Sequence, residues 1–134
     1  MSNIKFSVVM AVHNSDIPKF IFQAGKSVFE QTCMPNELIV VFDGLVSGKH
    51  KNQINRLKKF GSVYIIQLQK SFGPGTSRHI GIKNTKNEIV AIMDSDDICL
   101  PSRFKDQLEI IEKEKVAVVG AWIKEFVNKP GDVN

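Results

Sequence analysis

Four short apolar runs rich in β-branched residues, Phe6–Val12, Glu37–Phe42, Ser62–Leu68 and Glu88–Met93, are spaced along the chain, and each stops at a polar or acidic residue. In the second run every residue after Glu37 is apolar. Continuous rather than alternating apolarity is what a strand covered on both faces requires, so these runs point to a parallel sheet packed between helices. The intervening segments carry helical spacing. Ile17, Phe20, Ile21, Ala24 and Val28 fall on one face, with Asp16 as the expected cap and Pro18 in the first turn, where its missing N–H is harmless. Lys49 to Phe60 reads as a polar helix with Ile54 and Leu57 inward. A shorter helix is expected from a Thr76 cap to about Lys83 with Ile80 buried, and another after Pro101 with Phe104, Leu108 and Ile111 inward. Val116 to Val119 and Ala121 to Phe126 would supply a fifth strand. The fold class is therefore α/β, a Rossmann-like, mostly parallel sheet with helices on both faces and right-handed crossovers.

Size and charge narrow the function. A chain of 134 residues holds one domain with one real core. No apolar stretch is long enough to span a membrane, and no basic start leads into a signal-like segment, so neither is expected. Cys33 and Cys99 are far apart, with no CxxC and no neighbouring histidine at ligand spacing; a reduced, cytoplasmic protein fits them best. A net charge of +4, from 18 Lys and Arg against 14 Asp and Glu, is too small and too dispersed for nucleic-acid binding. It leaves peripheral attraction to an anionic membrane face open.

In a sheet of this kind ligands sit beyond the carboxyl ends of the strands. The residues delivered there are His13 and Asn14, Asp43, and the run Asp94-Ser95-Asp96-Asp97. Acids gathered on one rim repel one another and make a hard cation attractive. Carboxylates without clustered His or Cys favour Mn²⁺ or Mg²⁺, ions that keep waters and share their remaining sites with phosphates. A phosphate-bearing ligand follows. One Asp could merely cap the helix near Pro101, but four residues of Asp-Ser-Asp-Asp exceed that need. Arg78, in Gly73-Pro74-Gly75-Thr76-Ser77-Arg78, can meet a diphosphate beside a helix start, or simply pair with a nearby acid. His13, His50 and His79 have no mutual metal spacing. Trp122, the nine phenylalanines and Cys99 are assigned to packing. No GxGxxG follows the first strand, and Gly44 to His50 lacks both the spacing and the hydroxyl of a P-loop.

Taken in order, Ser7 to Asn14, Gln31-Thr32, Glu37 to Gly44, Gly75 to Gly81, and Met93-Asp94-Ser95-Asp96-Asp97 through Pro101 resemble a family 2 glycosyltransferase of GT-A fold, over nearly the whole chain. The resemblance implies that Ala11, Val12, His13 and Asn14 border a nucleotide and that Asp43 reads its base, uracil before guanine. It further implies that Arg78 lies near the nucleotide, that Asp94 and Ser95 approach the ribose, and that Asp96, with Asp94, holds the metal of a DxD motif. The chain departs from the family's frequent Asp-Asp-Gly-Ser at Phe42-Asp43-Gly44-Leu45, and has His13-Asn14 where Tyr-Asn is common.

The implied reaction moves a sugar from a nucleotide diphosphate to a hydroxyl of a glycan or lipid-linked acceptor, with inversion, in polysaccharide or glycoconjugate synthesis. The base that would take the acceptor proton usually lies well beyond the DxD, and no acid after Asp97 stands in a recognisable context. The catalytic base is unassigned, and the chain is expected to be the donor-binding portion of something longer. Two other readings stay open at this point: a non-catalytic module that binds a nucleotide, cation or partner, and an aspartate-based phosphoryl-transfer domain.

Overall fold

The computed structural model describes residues 4–120. Strands and helices alternate strictly: β1 (Phe6–Val12), α1 (Pro18–Phe29), β2 (Glu37–Phe42), α2 (Gly48–Leu57), β3 (Val63–Gln67), α3 (Pro74–Lys83), β4 (Ile89–Asp94) and α4 (Arg103–Glu114). The four strands form one sheet in the order β3-β2-β1-β4. All pairs are parallel, with Val12 opposite Phe42 and Ala11 opposite Asp94. The continuous apolar runs thus sit in the setting they suit, and β1 and β2, each with a strand on either side, are almost wholly buried.

Because side chains alternate across a strand, the sheet feeds two cores. On one face Val8, Met10, Val12, Leu38, Val40 and Phe42 pack with Ile21, Ala24 and Val28 of α1, Ile54 and Leu57 of α2, and Phe104 and Leu108 of α4. Phe6 meets the Phe104 ring edge-on, with centroids 5.2 Å apart. The other face is smaller, built on Val9, Ile39 and Val41. There α3 comes close: a Cβ placed on Gly81 would stand 2.5 Å from Val9 Cγ1 and 3.1 Å from Val41 Cγ2, so only glycine lets the helix lie this near the sheet.

Several expectations are corrected. Asp16 does not cap α1: Ile17 occupies the cap position and no side chain bonds there. Thr76 does not cap α3, which starts two residues earlier after Gly73; its buried positions are Ser77 and Gly81, while Ile80 is half-buried. The α2 helix stops at Leu57, and Phe60 closes a turn with its N–H on the Leu57 carbonyl at 2.9 Å. Pro101 precedes α4 rather than entering it, and its carbonyl accepts from the Thr32 N–H at 2.9 Å. Val116 to Val119 form no strand, and Val118 is 86% exposed. Strand composition alone makes no ladder, and among the described residues no strand pairs with them. Ala121 to Phe126 and Trp122 lie outside the described residues.

Gln31 explains why a polar pair follows α1. Buried, it donates to the Leu100 carbonyl at 2.7 Å and accepts from the Phe104 N–H at 3.1 Å. Ser27 Oγ accepts from the Cys99 N–H at 3.0 Å. Together they fasten the segment after the acidic run to α1, fixing where that run emerges from the sheet.

Candidate functional site

At the carboxyl ends of the strands lies a cleft of about 420 Å³. Ala11, Val12 and His13 reach it from β1 and the turn beyond, Asp43 from the end of β2, Arg78 from the second turn of α3, and Asp94, Ser95 and Asp96 from the end of β4. Three strand ends and α3, widely separated in sequence, therefore deliver their residues to one place, as strand-end geometry requires. Asn14 is the exception among the expected residues and does not line the cleft. Its Oδ1 accepts from the Ser47 N–H at 3.0 Å, so it secures the β1 turn to the start of α2. Ser15, Asp16, Ser71, Gly73 and Pro74 also line the cleft; of these the sequence marked Asp16 only as a helix cap and Gly73-Pro74 only as the lead into Arg78, and it gave no signal for Ser15 or Ser71.

Asp43 is buried, and both of its oxygens accept hydrogen bonds from the chain. Its Oδ1 accepts from the Phe72 N–H at 2.7 Å, and its Oδ2 from the Ser71 hydroxyl at 2.9 Å and the Gly73 N–H at 3.1 Å. Burial, the largest single influence, pushes its pKa up. The Phe72 N–H, the Ser71 and Ser77 hydroxyls and the Gly73 N–H together outweigh it and hold the carboxyl below its ordinary value. Ser77 Oγ contributes to that field although it completes no hydrogen bond of its own. Gly44, at φ +89°, makes this turn feasible: a Cβ there would stand 2.8 Å from the Ser71 N.

The β4 end is built differently. Arg78 Nη2 meets Asp94 Oδ1 at 2.6 Å, both side chains being part exposed, so one acid of the run is neutralised by the arginine expected to serve a diphosphate. Ser95 is buried and donates to Asp16 Oδ2 at 2.9 Å. Asp96 is exposed and makes no hydrogen bond or ion pair among the described residues. The pKa of Asp97 is raised from its ordinary value, first by burial and then by the charges of Asp96 and Asp94 and a hydrogen bond with Asp94, with Arg103 only partly offsetting this. The run is thus short of positive charge, while the Asp43 site is not.

Among the described residues no three of His, Cys, Asp and Glu converge as a ready-made metal cage. The donor set nevertheless suits a hard cation that keeps its waters: Asp96 presents an unengaged carboxylate to the cleft, and Asp94 has one oxygen beyond its bond to Arg78.

Residues 7–133 match the model of "Glycosyl transferase family 2", and the chain belongs to that family. It is 32% identical over 129 residues, 96% of this chain and 47% of the relative, to the UDP-Gal:alpha-D-GlcNAc-diphosphoundecaprenol beta-1,3-galactosyltransferase of Escherichia coli. It is 34% identical over 122 residues, 90% of this chain and 46% of the relative, to the amylovoran biosynthesis glycosyltransferase AmsE of Erwinia amylovora. The chain thus spans less than half the length of either. Among solved structures it resembles S. aureus TarS 1-349 in complex with UDP-GlcNAc, with a TM-score of 0.73 and 25% identity over 92% of this chain and 38% of that one. The mannosyltransferase PcManGT of Pyrobaculum calidifontis, in complex with GDP-Man and Mn2+, shares the fold at a TM-score of 0.70 and 15% identity, over 80% of this chain and 32% of that one. The fold is GT-A, as expected, and family membership leaves the phosphoryl-transfer reading without support.

Proposed function

We propose that the cleft binds a nucleotide diphosphate sugar, a UDP-sugar by preference, and that the protein to which this chain contributes transfers the sugar, with inversion, to a hydroxyl of a glycan or lipid-linked acceptor. The observation that carries the reading is the convergence of the β1, β2 and β4 ends, with Arg78, on one polar cleft in a family 2 chain. Ala11, Val12 and His13 form the wall against which the nucleoside rests. Asp43, kept ionised, can only accept; Oδ1 holds one bond from the chain and has capacity for another, so it suits the ring N–H of uracil. The donor sugar of the UDP-GlcNAc complex of TarS and the UDP-Gal in the name of the E. coli relative favour uridine.

Asp96, with the second oxygen of Asp94, would hold Mn²⁺ or Mg²⁺, which when bound supplies positive charge against the departing diphosphate. Arg78 adds a fixed cation on the same side, and α3 begins at the cleft rim, where the amides of a first helical turn lack partners within the helix. Asp94 and Ser95 orient the ribose. Asp106, Glu109, Glu112 and Glu114 are exposed on α4 and none lines the cleft, so no base is assigned among them. The two unpaired cysteines and the net charge of +4 support a cytoplasmic location, peripheral to the membrane.

Calorimetry with UDP, with and without Mn²⁺, tests the reading. Metal-dependent binding of UDP in preference to GDP is expected. Absence of metal-dependent affinity for any nucleoside diphosphate would overturn it.

A further inference from the structure

Asp16, absent from the helix cap it was expected to form, is instead the meeting point of three elements. Its Oδ2 accepts from the His13 N–H at 2.8 Å and from the Ser95 hydroxyl at 2.9 Å. One carboxylate oxygen therefore joins the end of β1 to the acidic run after β4, across 79 positions of sequence. Its backbone carbonyl accepts from Nε2 of His50 at 2.7 Å. A carbonyl oxygen cannot donate, so Nε2 carries the hydrogen, and in the neutral ring the other nitrogen accepts from the Ser47 hydroxyl. His50 is buried, and Ser47 also grips Asn14 through its N–H. The α2 helix thus holds the β1 turn on both sides of Ser15, and Asp16 passes that constraint to Ser95.

We propose that Asp16, held by His50, is a positioning residue: it fixes the gap between the His13 wall and the Asp94–Asp96 wall so that both face the same bound nucleotide. The claim rests on the donor-binding reading and goes beyond it, because Asp16 works here through its hydrogen bonds rather than its charge. An amide oxygen can accept the same two bonds. Asp16→Asn should therefore preserve the gap, whereas Asp16→Ala should open it.

The test pairs UDP calorimetry in Mn²⁺ with hydrogen exchange at the His13 amide, which reads the bond directly in ligand-free protein. Asp16→Ala is expected to speed exchange at His13 and weaken UDP about tenfold, the scale of losing two hydrogen bonds, while Asp16→Asn stays within about twofold of the parent. Should Asp16→Ala fail to fold, His50→Leu carries the same expectation, with His50→Gln, which keeps a donor, restoring both readouts. Asp16→Asn failing as badly as Asp16→Ala would overturn the proposal, because charge would then be what matters. A folded Asp16→Ala or His50→Leu with parental affinity would overturn it too. A parent chain without nucleotide affinity defeats the donor reading instead, and an unchanged His13 amide in Asp16→Ala then defeats the positioning claim separately.

Discussion

Asp43 and Asp96 stand on the same rim of one sheet, yet the chain treats them in opposite ways. Asp43 follows a central strand, is buried, and has both oxygens committed to residues 71–73. Asp96 follows β4, an edge strand among the described residues, is exposed, and has neighbours of its own sign. Burial penalises the Asp43 charge, and like-charged neighbours crowd the Asp96 end. At β2 the chain answers with its own N–H and hydroxyl donors, whereas at β4 Asp94 has an ion pair, with Arg78, and Asp96 has none among the described residues. The difference separates two tasks that sequence alone lumps together as acids at strand ends: one is a finished, rigid acceptor, the other an electrostatic deficit that a ligand or cation must complete.

The largest expected effect lies at the open site. Asp96→Ala should lower the affinity for UDP in Mn²⁺ by at least about a hundredfold, since even groups one shell out from a metal ligand are worth about 10- to 100-fold. EDTA should reduce the parent chain to the level of the variant and leave the variant unchanged, and thermal melting of the two proteins without ligand should coincide. A large drop in unliganded melting temperature would break the contrast, because it would make Asp96 a structural acid like Asp43.

At the closed site the effect should fall on the fold first. Asp43→Ala leaves the Phe72 and Gly73 N–H groups without their acceptor, and a loss of about 2 to 3 kcal/mol is expected in urea unfolding. The pH dependence follows from its depressed pKa. A carboxyl whose pKa is lower folded than unfolded contributes stability that is complete above the unfolded value, about 4, and is lost as pH falls through the folded value below it. Stability measured downward from pH 5 should therefore decline in part through Asp43, and Asp43→Asn should shallow that decline. Asp97, shifted the other way, opposes the trend: its strain is present at neutral pH and is relieved on protonation. An Asp43→Asn chain with the parental slope would show that the 71–73 donors do not hold the charge.

Much of this was readable in the sequence, for physical reasons that also mark where reading stops. Continuous apolar runs announce strands buried on both faces, and residues just past them must lie at the rim, so Asp43, Asp94 and Asp96 could be placed together without coordinates. What a residue bonds to across the fold could not be read. Asp16 looks like a helix cap because capping depends on neighbours in sequence, whereas its real partner Ser95 is brought in by the pairing of β1 with β4. Asn14 reads as a cleft residue from its motif, but Ser47 claims its side chain. Val116 to Val119 have strand composition, and composition says nothing about whether an edge is free to pair. His50 is one histidine among lysines in a polar helix, and only its burial against the β1 turn reveals its use.

The smallest expected effect concerns Arg78, where the two sites come closest to sharing a residue. Arg78 rides on the same helix whose Ser77 faces the field of Asp43, yet its own partner is Asp94. That ion pair is part exposed, and exposed pairs contribute only about 0 to 1 kcal/mol. Arg78→Lys keeps the charge and gives up the planar fork, so unfolding stability should hold while UDP affinity falls about threefold to tenfold, the scale expected when a guanidinium is exchanged for a point charge at a phosphate. Arg78→Ala should add to that loss and should also leave Asp94 without a cation, making binding more dependent on Mn²⁺ concentration. If Arg78→Lys instead lowers stability and spares UDP, the arginine serves the fold as Asp43 does, and the line between a closed β2 site and an open β4 site has to be redrawn to place Arg78 and Asp94 on the closed side.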